Sequence, residues 1–246
     1  MAAEFAWLAA PVLALVAACL VLVPLGSQVL ARGVVFIDLA VAQVAACGVL
    51  AVGMLVHAPS AWVVALAAAG AALVGSAVVW WLAARWPQQR EALIGLVYVA
   101  GAGASVIAAA HDTHGRERLA ALLAADVLWA PWAGVLLLWI AAVAVLLLAL
   151  RAGVLLSRDR WFYPLFALAL SAAVPVLGLY LVFALLIGPA LWTRRGASAP
   201  TALLLGLVAC LGGLGASWAL DWPSGACVAV ALCALGIASG LRRPAR

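Results

Sequence analysis

The sequence predicts an all-α protein, a polytopic bundle of transmembrane helices with about eight spans. Three observations predict it. Hydrophobic residues make up 70% of the 246 positions, mean hydropathy is +1.28, and apolar stretches long enough to cross a bilayer recur from end to end. Charged residues are 9% of the chain, against about 25% in soluble domains.

Each span needs about 20 apolar residues. Joins at Gly, Pro and charged clusters then divide the chain near 5–25, 35–56, 60–83, 92–110, 127–150, 162–187, 199–219 and 225–241. The first stretch follows Glu4 with no basic residue before it, so Phe5–Leu25 reads as a retained span and not a secretory signal. No stretch outside the spans is long enough to fold alone, and residues 1–246 read as a single transmembrane domain.

Composition excludes several functions. All 13 basic side chains counted with lysine are arginines; the chain has no lysine. A phosphate-gripping P-loop needs one, as does Schiff-base chemistry. Any use of ATP therefore requires another chain. The net charge of +5 sits mainly in short joins and suits anionic headgroups, with no basic and aromatic stripe for nucleic acid. Cys19, Cys47, Cys210, Cys227 and Cys233 lie in apolar runs without a CxxC pair and read as small packing residues. No GxSxG elbow and no paired carboxylates within one span suggest an enzyme.

Tryptophans cluster where span ends meet headgroups: Trp80, Trp81 and Trp86, Trp129 and Trp132, Trp161, Trp192, Trp218 and Trp222. Gly70, Ala71 and Gly75, Gly101 and Gly103, and Gly212, Gly213 and Gly215 read as surfaces for close helix approach. Orientation is weakly marked. An eight-span model with an inside N-terminus puts Arg116, Arg118, Arg194, Arg195, Arg242, Arg243 and Arg246 inside. The opposite face then holds Arg32, Arg85, Arg90, Arg151, Arg158 and Arg160.

Ionisable groups inside a bilayer are costly and point to function. Asp38 and Gln43, early in the second span, are five residues apart, about 140° around an ideal helix. They read either as a polar patch along a cation route or, for Asp38, as a helix cap or partner of Arg32. The run His111-Asp112-Thr113-His114-Gly115-Arg116-Glu117 is the densest group of possible metal ligands. Its spacing is not HExxH and Gly115 marks a turn, so loop charges at a helix start are the competing reading. His57, alone before Pro59, reads as interfacial. Glu91, Asp126 and Asp221 read as span-end residues, with Glu91 at the positive end of a helix.

Three segments, Arg32–Gly48 (RGVVFIDLAVAQVAACG), Glu91–Trp129 with its His114-Gly115-x-Glu117-x-Leu119 centre, and Val176–Leu191 (VLGLYLVFALLIGPAL), together resemble the ABC-3 family of zinc and manganese ABC transporter permeases. Many members carry an Asp and a His in the first segment. Aligned on its closing glycine, Gln43 stands where the His would be, and Asp38 falls one position before the family Asp, which matches Leu39. The region between Arg151 and Pro175 is shorter than in longer members.

The resemblance implies a transport subunit in the bacterial inner membrane, not an enzyme and without a bound cofactor of its own. ATP would be hydrolysed on a separate P-loop ATPase subunit. A second permease copy or paralogue and a separate extracytoplasmic metal-binding protein would complete the importer, with a divalent metal as the transported substrate. Asp38 and Gln43 are then the pathway residues. Pro189, breaking its helix, with Arg194 and Arg195 would form the coupling element on the ATPase, the alternative being an ordinary basic inside loop. His114, Gly115 and Glu117 belong to a motif of uncertain role, and no metal ligand is assigned. A stand-alone secondary transporter of a small solute or cation is the alternative reading, and an intramembrane enzyme acting on lipid a third.

Overall fold

The computed structural model describes residues 8–56, 59–111, 114–151 and 158–241. Ten α-helices follow one another: α1 (Ala9–Arg32), α2 (Ile37–Leu55), α3 (Ala61–Arg85), α4 (Arg90–Ala110), the short α5 (Gly115–Leu123), α6 (Trp132–Arg151), α7 (Asp159–Leu177), α8 (Leu179–Thr193), α9 (Ala199–Leu220) and α10 (Ser224–Leu241), with a 3₁₀ turn at Val127–Trp129 before α6. Seven are long and apolar enough to cross a membrane: α1, α2, α3, α4, α7, α9 and α10. α6 and α8 contribute shorter apolar stretches. The all-α, multi-pass bundle expected from the sequence is what forms. His57 lies outside the described residues, as do Glu4, Asp112 and the basic C-terminal residues.

Burial sorts the helices. α1, α7 and α8 form the centre, with Leu15, Leu22, Leu25, Phe162, Phe166, Leu170, Leu181 and Leu185 almost fully enclosed. α3, α4, α6, α9 and α10 turn large apolar side chains outward, among them Trp62, Leu66, Leu96, Leu136, Val208 and Ile237. In water such a surface would be an aggregation hazard; against lipid tails it is the ordinary solvated face.

One boundary differs from the sequence reading in a way that reorganises the molecule. The stretch expected as one span over 162–187 is two helices, parted at Gly178, whose φ is +76°. α7 starts beside Arg32 at the C-terminal end of α1, where Arg32 bonds Asp159 at 2.9 Å. α8 finishes beside Gly26 near the same end of α1, where a Cβ on Gly26 would lie 3.2 Å from Ala190. The chain therefore reverses at Gly178. A hydrophobicity pattern misses this because both helices are apolar and no polar residue marks the turn.

The reversal is possible because three segments meet there with no side chains between them. A Cβ on Gly178 would land on the Ala125 amide, and one on Gly225 of α10 on the Ala125 carbonyl. Asp126 and Ser224, joined by a hydrogen bond, fix the same junction, and the Leu128 amide donates to both, at 3.2 Å and 3.3 Å.

The extra crossing regroups the arginines. Arg32, Arg85, Arg90, Arg158, Arg160, Arg194 and Arg195 all lie at the end of the bundle where α1, α3 and α8 finish and α4, α7 and α9 begin. Arg116 and Arg118, on α5, lie at the other end. The near-even split of the eight-span reading came from one missed crossing.

The three small-residue sets supply four close approaches: Ala71 against Gly48, Gly75 against Val44, Gly101 against Gln43, and Gly213 against Val228. Gly70, Gly103, Gly212 and Gly215 have open space where a Cβ would stand. Gly178→Ala combines a left-handed backbone with a backbone clash, and strained backbones cost about 1–3 kcal/mol. It should lower the thermal midpoint in detergent by several degrees, whereas Gly212→Ala should leave it unchanged; scanning fluorimetry of the purified variants reads both.

Candidate functional site

α2 carries the polar residues singled out in the sequence. Asp38 lies in its first turn and is fully buried. Neither side-chain oxygen has a hydrogen-bond partner. The positive end of the helix macrodipole favours a carboxylate at this position. The alternative reading as a partner of Arg32 fails on geometry: the guanidinium of Arg32 binds Asp159 and the Gln28 side chain at 2.9 Å and 3.0 Å and stacks over the Phe162 ring at 4.0 Å.

Gln43 is also buried, and its side-chain carbonyl Oε1 has no partner. It borders a half-open cavity of about 500 Å³. The other walls come from Tyr98 and Ala102 of α4, Leu119 and Leu123 of α5, Tyr180 and Phe183 of α8, and Val230 and Cys233 of α10. Gly101 lets α4 approach α2 here, since a Cβ would stand 3.1 Å from that of Gln43. Asp38 does not contribute to the cavity wall, so the structure sets the two expected pathway residues in different surroundings on one helix.

A third residue joins them. Glu91, in the first turn of α4, accepts the Val35 amide through Oε1 at 2.8 Å. Its Oε2 is buried without a partner. Sequence reasoning saw only a helix-dipole role for Glu91, because nothing in the sequence pairs the start of α4 with the loop before α2. Among the described residues, the buried side-chain oxygen or nitrogen atoms without partners are those of Asp38, Gln43 and Glu91. Each such group costs about 1–3 kcal/mol. Their concentration on two packed helices is a demand for a donor: a proton, water or a cation.

The unpartnered atoms are all oxygens, while the cavity wall beside Gln43 also carries the Cys233 thiol. Among the described residues no three His, Cys, Asp or Glu side chains come close enough to hold a metal ion together. A deep chelating trap is therefore absent there.

The other expected residues fall elsewhere. Gly115 is buried against the α4 backbone, its α-carbon facing the Ala109 carbonyl, which explains the glycine as a packing requirement of the α4–α5 turn. His114 precedes α5, and Glu117 stands exposed in its first turn. His111 Nδ1 lies 2.8 Å from the Ile107 carbonyl. Pro189 does not break its helix: α8 continues through it to Thr193. The proline is buried, and Gly206 of α9 has no side chain where its ring packs. The chain turns instead at Gly196, φ +88°, leaving Arg194 and Arg195 exposed between α8 and α9. Ser198 then caps α9 through the Thr201 amide at 3.3 Å.

If Asp38 is held for binding and not for folding, replacing its carboxyl group should not destabilise the bundle. Asp38→Asn is expected to keep or raise the thermal midpoint in detergent, since it exchanges a buried carboxyl without partners for a neutral group of the same shape. A drop of more than a few degrees would assign Asp38 a structural role.

Comparison with known proteins agrees with this architecture. PsaBC from Streptococcus pneumoniae, solved in complex with Fab, superposes with a TM-score of 0.75 at 16% identity, over 97% of this chain and 95% of that one. At that identity the likeness establishes the fold. No curated protein matches in sequence. The model of the ABC 3 transport family matches residues 154–242, a stretch holding α7 to α10 and one of the three segments that carry the sequence resemblance. The stretch from α7 to α10 is thus similar to the ABC 3 transport family, on a fold shared with PsaBC along nearly the whole chain.

Proposed function

We propose that this chain is the membrane-spanning subunit of an ATP-driven importer of divalent metal ions in the bacterial inner membrane. ATP hydrolysis falls to a separate P-loop ATPase, since the chain has no lysine for a P-loop of its own. A second permease copy or paralogue and an extracytoplasmic metal-binding protein complete the assembly. The observation that carries the reading is the set of unpartnered buried oxygens on Asp38, Gln43 and Glu91.

The chemistry of those oxygens favours the harder of the two metals. Carboxylate and carbonyl donors suit manganese, whereas zinc draws on imidazole and thiolate. Gln43 stands where many relatives would carry an imidazole, which removes the nitrogen donor. Manganese is accordingly the first substrate to try, with zinc as its competitor.

The arginine distribution supports an orientation. Positively charged joins stay on the cytoplasmic side, so the end of the bundle bearing Arg32, Arg85, Arg90, Arg158, Arg160, Arg194 and Arg195 faces the cytoplasm. Arg194 and Arg195 are then exposed on the face an ATPase would meet. Asp38 and Glu91, in the first turns of α2 and α4, stand near that same face.

Two measurements test the reading. Asp38→Ala should reduce manganese uptake in cells at least tenfold at unchanged expression, with Asp38→Asn nearly as severe. Uptake equal to the parent would remove Asp38 from the pathway. A mild-detergent pull-down of the tagged chain should recover an ATPase that is lost on changing Arg194 and Arg195 to Glu. Uptake that survives ATP depletion but collapses with the proton gradient would instead establish a stand-alone secondary transporter.

A further inference from the structure

On the outer surface, α3 and α7 leave a groove of about 320 Å³ between them. Leu73, Ala77, Trp80 and Pro164 form its walls. The floor is closed by Ser76, whose hydroxyl donates to the Tyr163 carbonyl at 2.8 Å. The groove ends at Asp159 and Arg160, at the arginine-rich end of the bundle. It is a strip of apolar wall with a charged mouth.

The charge at that mouth is positive. Asp159 is already neutralised by Arg32 at 2.9 Å. Arg160 is exposed and makes no ion pair among the described residues; its guanidinium only flanks the Trp161 ring, at 5.8 Å. Arg158 is exposed two residues away. Tyr163, 6% exposed, borders the same groove. Its hydroxyl makes no hydrogen bond among the described residues.

The geometry points to a specific site for one anionic phospholipid, with an acyl chain along the α3–α7 groove and its phosphate on Arg160. The Tyr163 hydroxyl is placed to donate to the glycerol or phosphate oxygens. Bulk lipid would fill the apolar wall without discrimination; the unpaired guanidinium is what selects a net negative headgroup. Basic pockets between helices on the cytoplasmic side are a general mode of anionic lipid recognition, and arginine matches phosphate geometry better than lysine.

The test uses the full chain, with any subunits that copurify, reconstituted in phosphatidylcholine vesicles carrying trace spin-labelled phosphatidylglycerol or spin-labelled phosphatidylcholine. Electron spin resonance then reads the immobilised fraction of each. The expected result is at least a threefold preference for immobilised phosphatidylglycerol. Arg160→Gln, an exposed change that the fold should tolerate, is expected to abolish the preference while leaving phosphatidylcholine unchanged. Ala77→Phe, filling the groove, is expected to lower the immobilised fraction of both probes. Equal immobilisation of the two lipids by the parent chain, or a preference that survives Arg160→Gln, would overturn the site. So would an Ala77→Phe variant that leaves both lipids unchanged but loses its second copy, since the groove would then be a subunit contact.

Discussion

The arrangement depends on one place where backbone meets backbone. Gly178, Gly225 and the Ala125 peptide touch without an intervening side chain, and the chain can reverse there only because no Cβ has to be housed. The reversal makes α7 and α8 separate crossings. It also puts Arg158 and Arg160 at the same end as Arg194 and Arg195, which an uninterrupted span would have kept apart. A contact of a few atoms thus decides the number of crossings and the charge asymmetry between the two ends of the bundle.

Against that well-packed centre, the polar residues of α2 and α4 stand out by being unsatisfied. Ser76, Ser105, Ser224 and Ser239 are buried as deeply, yet each finds a backbone or side-chain partner. The bundle can therefore satisfy buried polar groups when they serve only folding. Asp38, Gln43 and Glu91 are the contrast: their buried acceptors stay open on two helices that are otherwise closely packed. The cavity beside Gln43 is mostly apolar, and neither Asp38 nor Glu91 is among the residues that line it.

Much of this was legible in the sequence, and the rest was hidden for definable reasons. Apolar runs and arginine-bearing joins located α1 to α4, α6, α9 and α10, because bilayer thickness imposes a length that composition reveals. The break at Gly178 was not legible: between Leu177 and Leu179 the hydropathy does not change, and a glycine in an apolar run reads equally as packing. Pro189 misled in the opposite direction. A proline usually ends a helix in water, but neighbouring helices can hold a membrane helix through it, and here Gly206 of α9 leaves room for the ring. Asp38 and Gln43 were visible as polar residues in apolar surroundings, and Glu91 was visible only as a helix start. Its link to the Val35 amide is a tertiary contact across 56 positions, which no local pattern encodes.

The cavity beside Gln43 has walls of two origins. One wall belongs to α2, α4 and α5, which follow nearly consecutively in the chain; the other belongs to α8 and α10. Elsewhere the molecule is cross-braced: the Arg32–Asp159–Phe162 clamp ties α1 to α7, and the Trp192 indole bonded to the Leu235 carbonyl at 3.0 Å ties α8 to α10. Packed interfaces deform little, and large motions pass through the seams between blocks. The cavity therefore lies on the seam where the wall from α2, α4 and α5 faces the wall from α8 and α10.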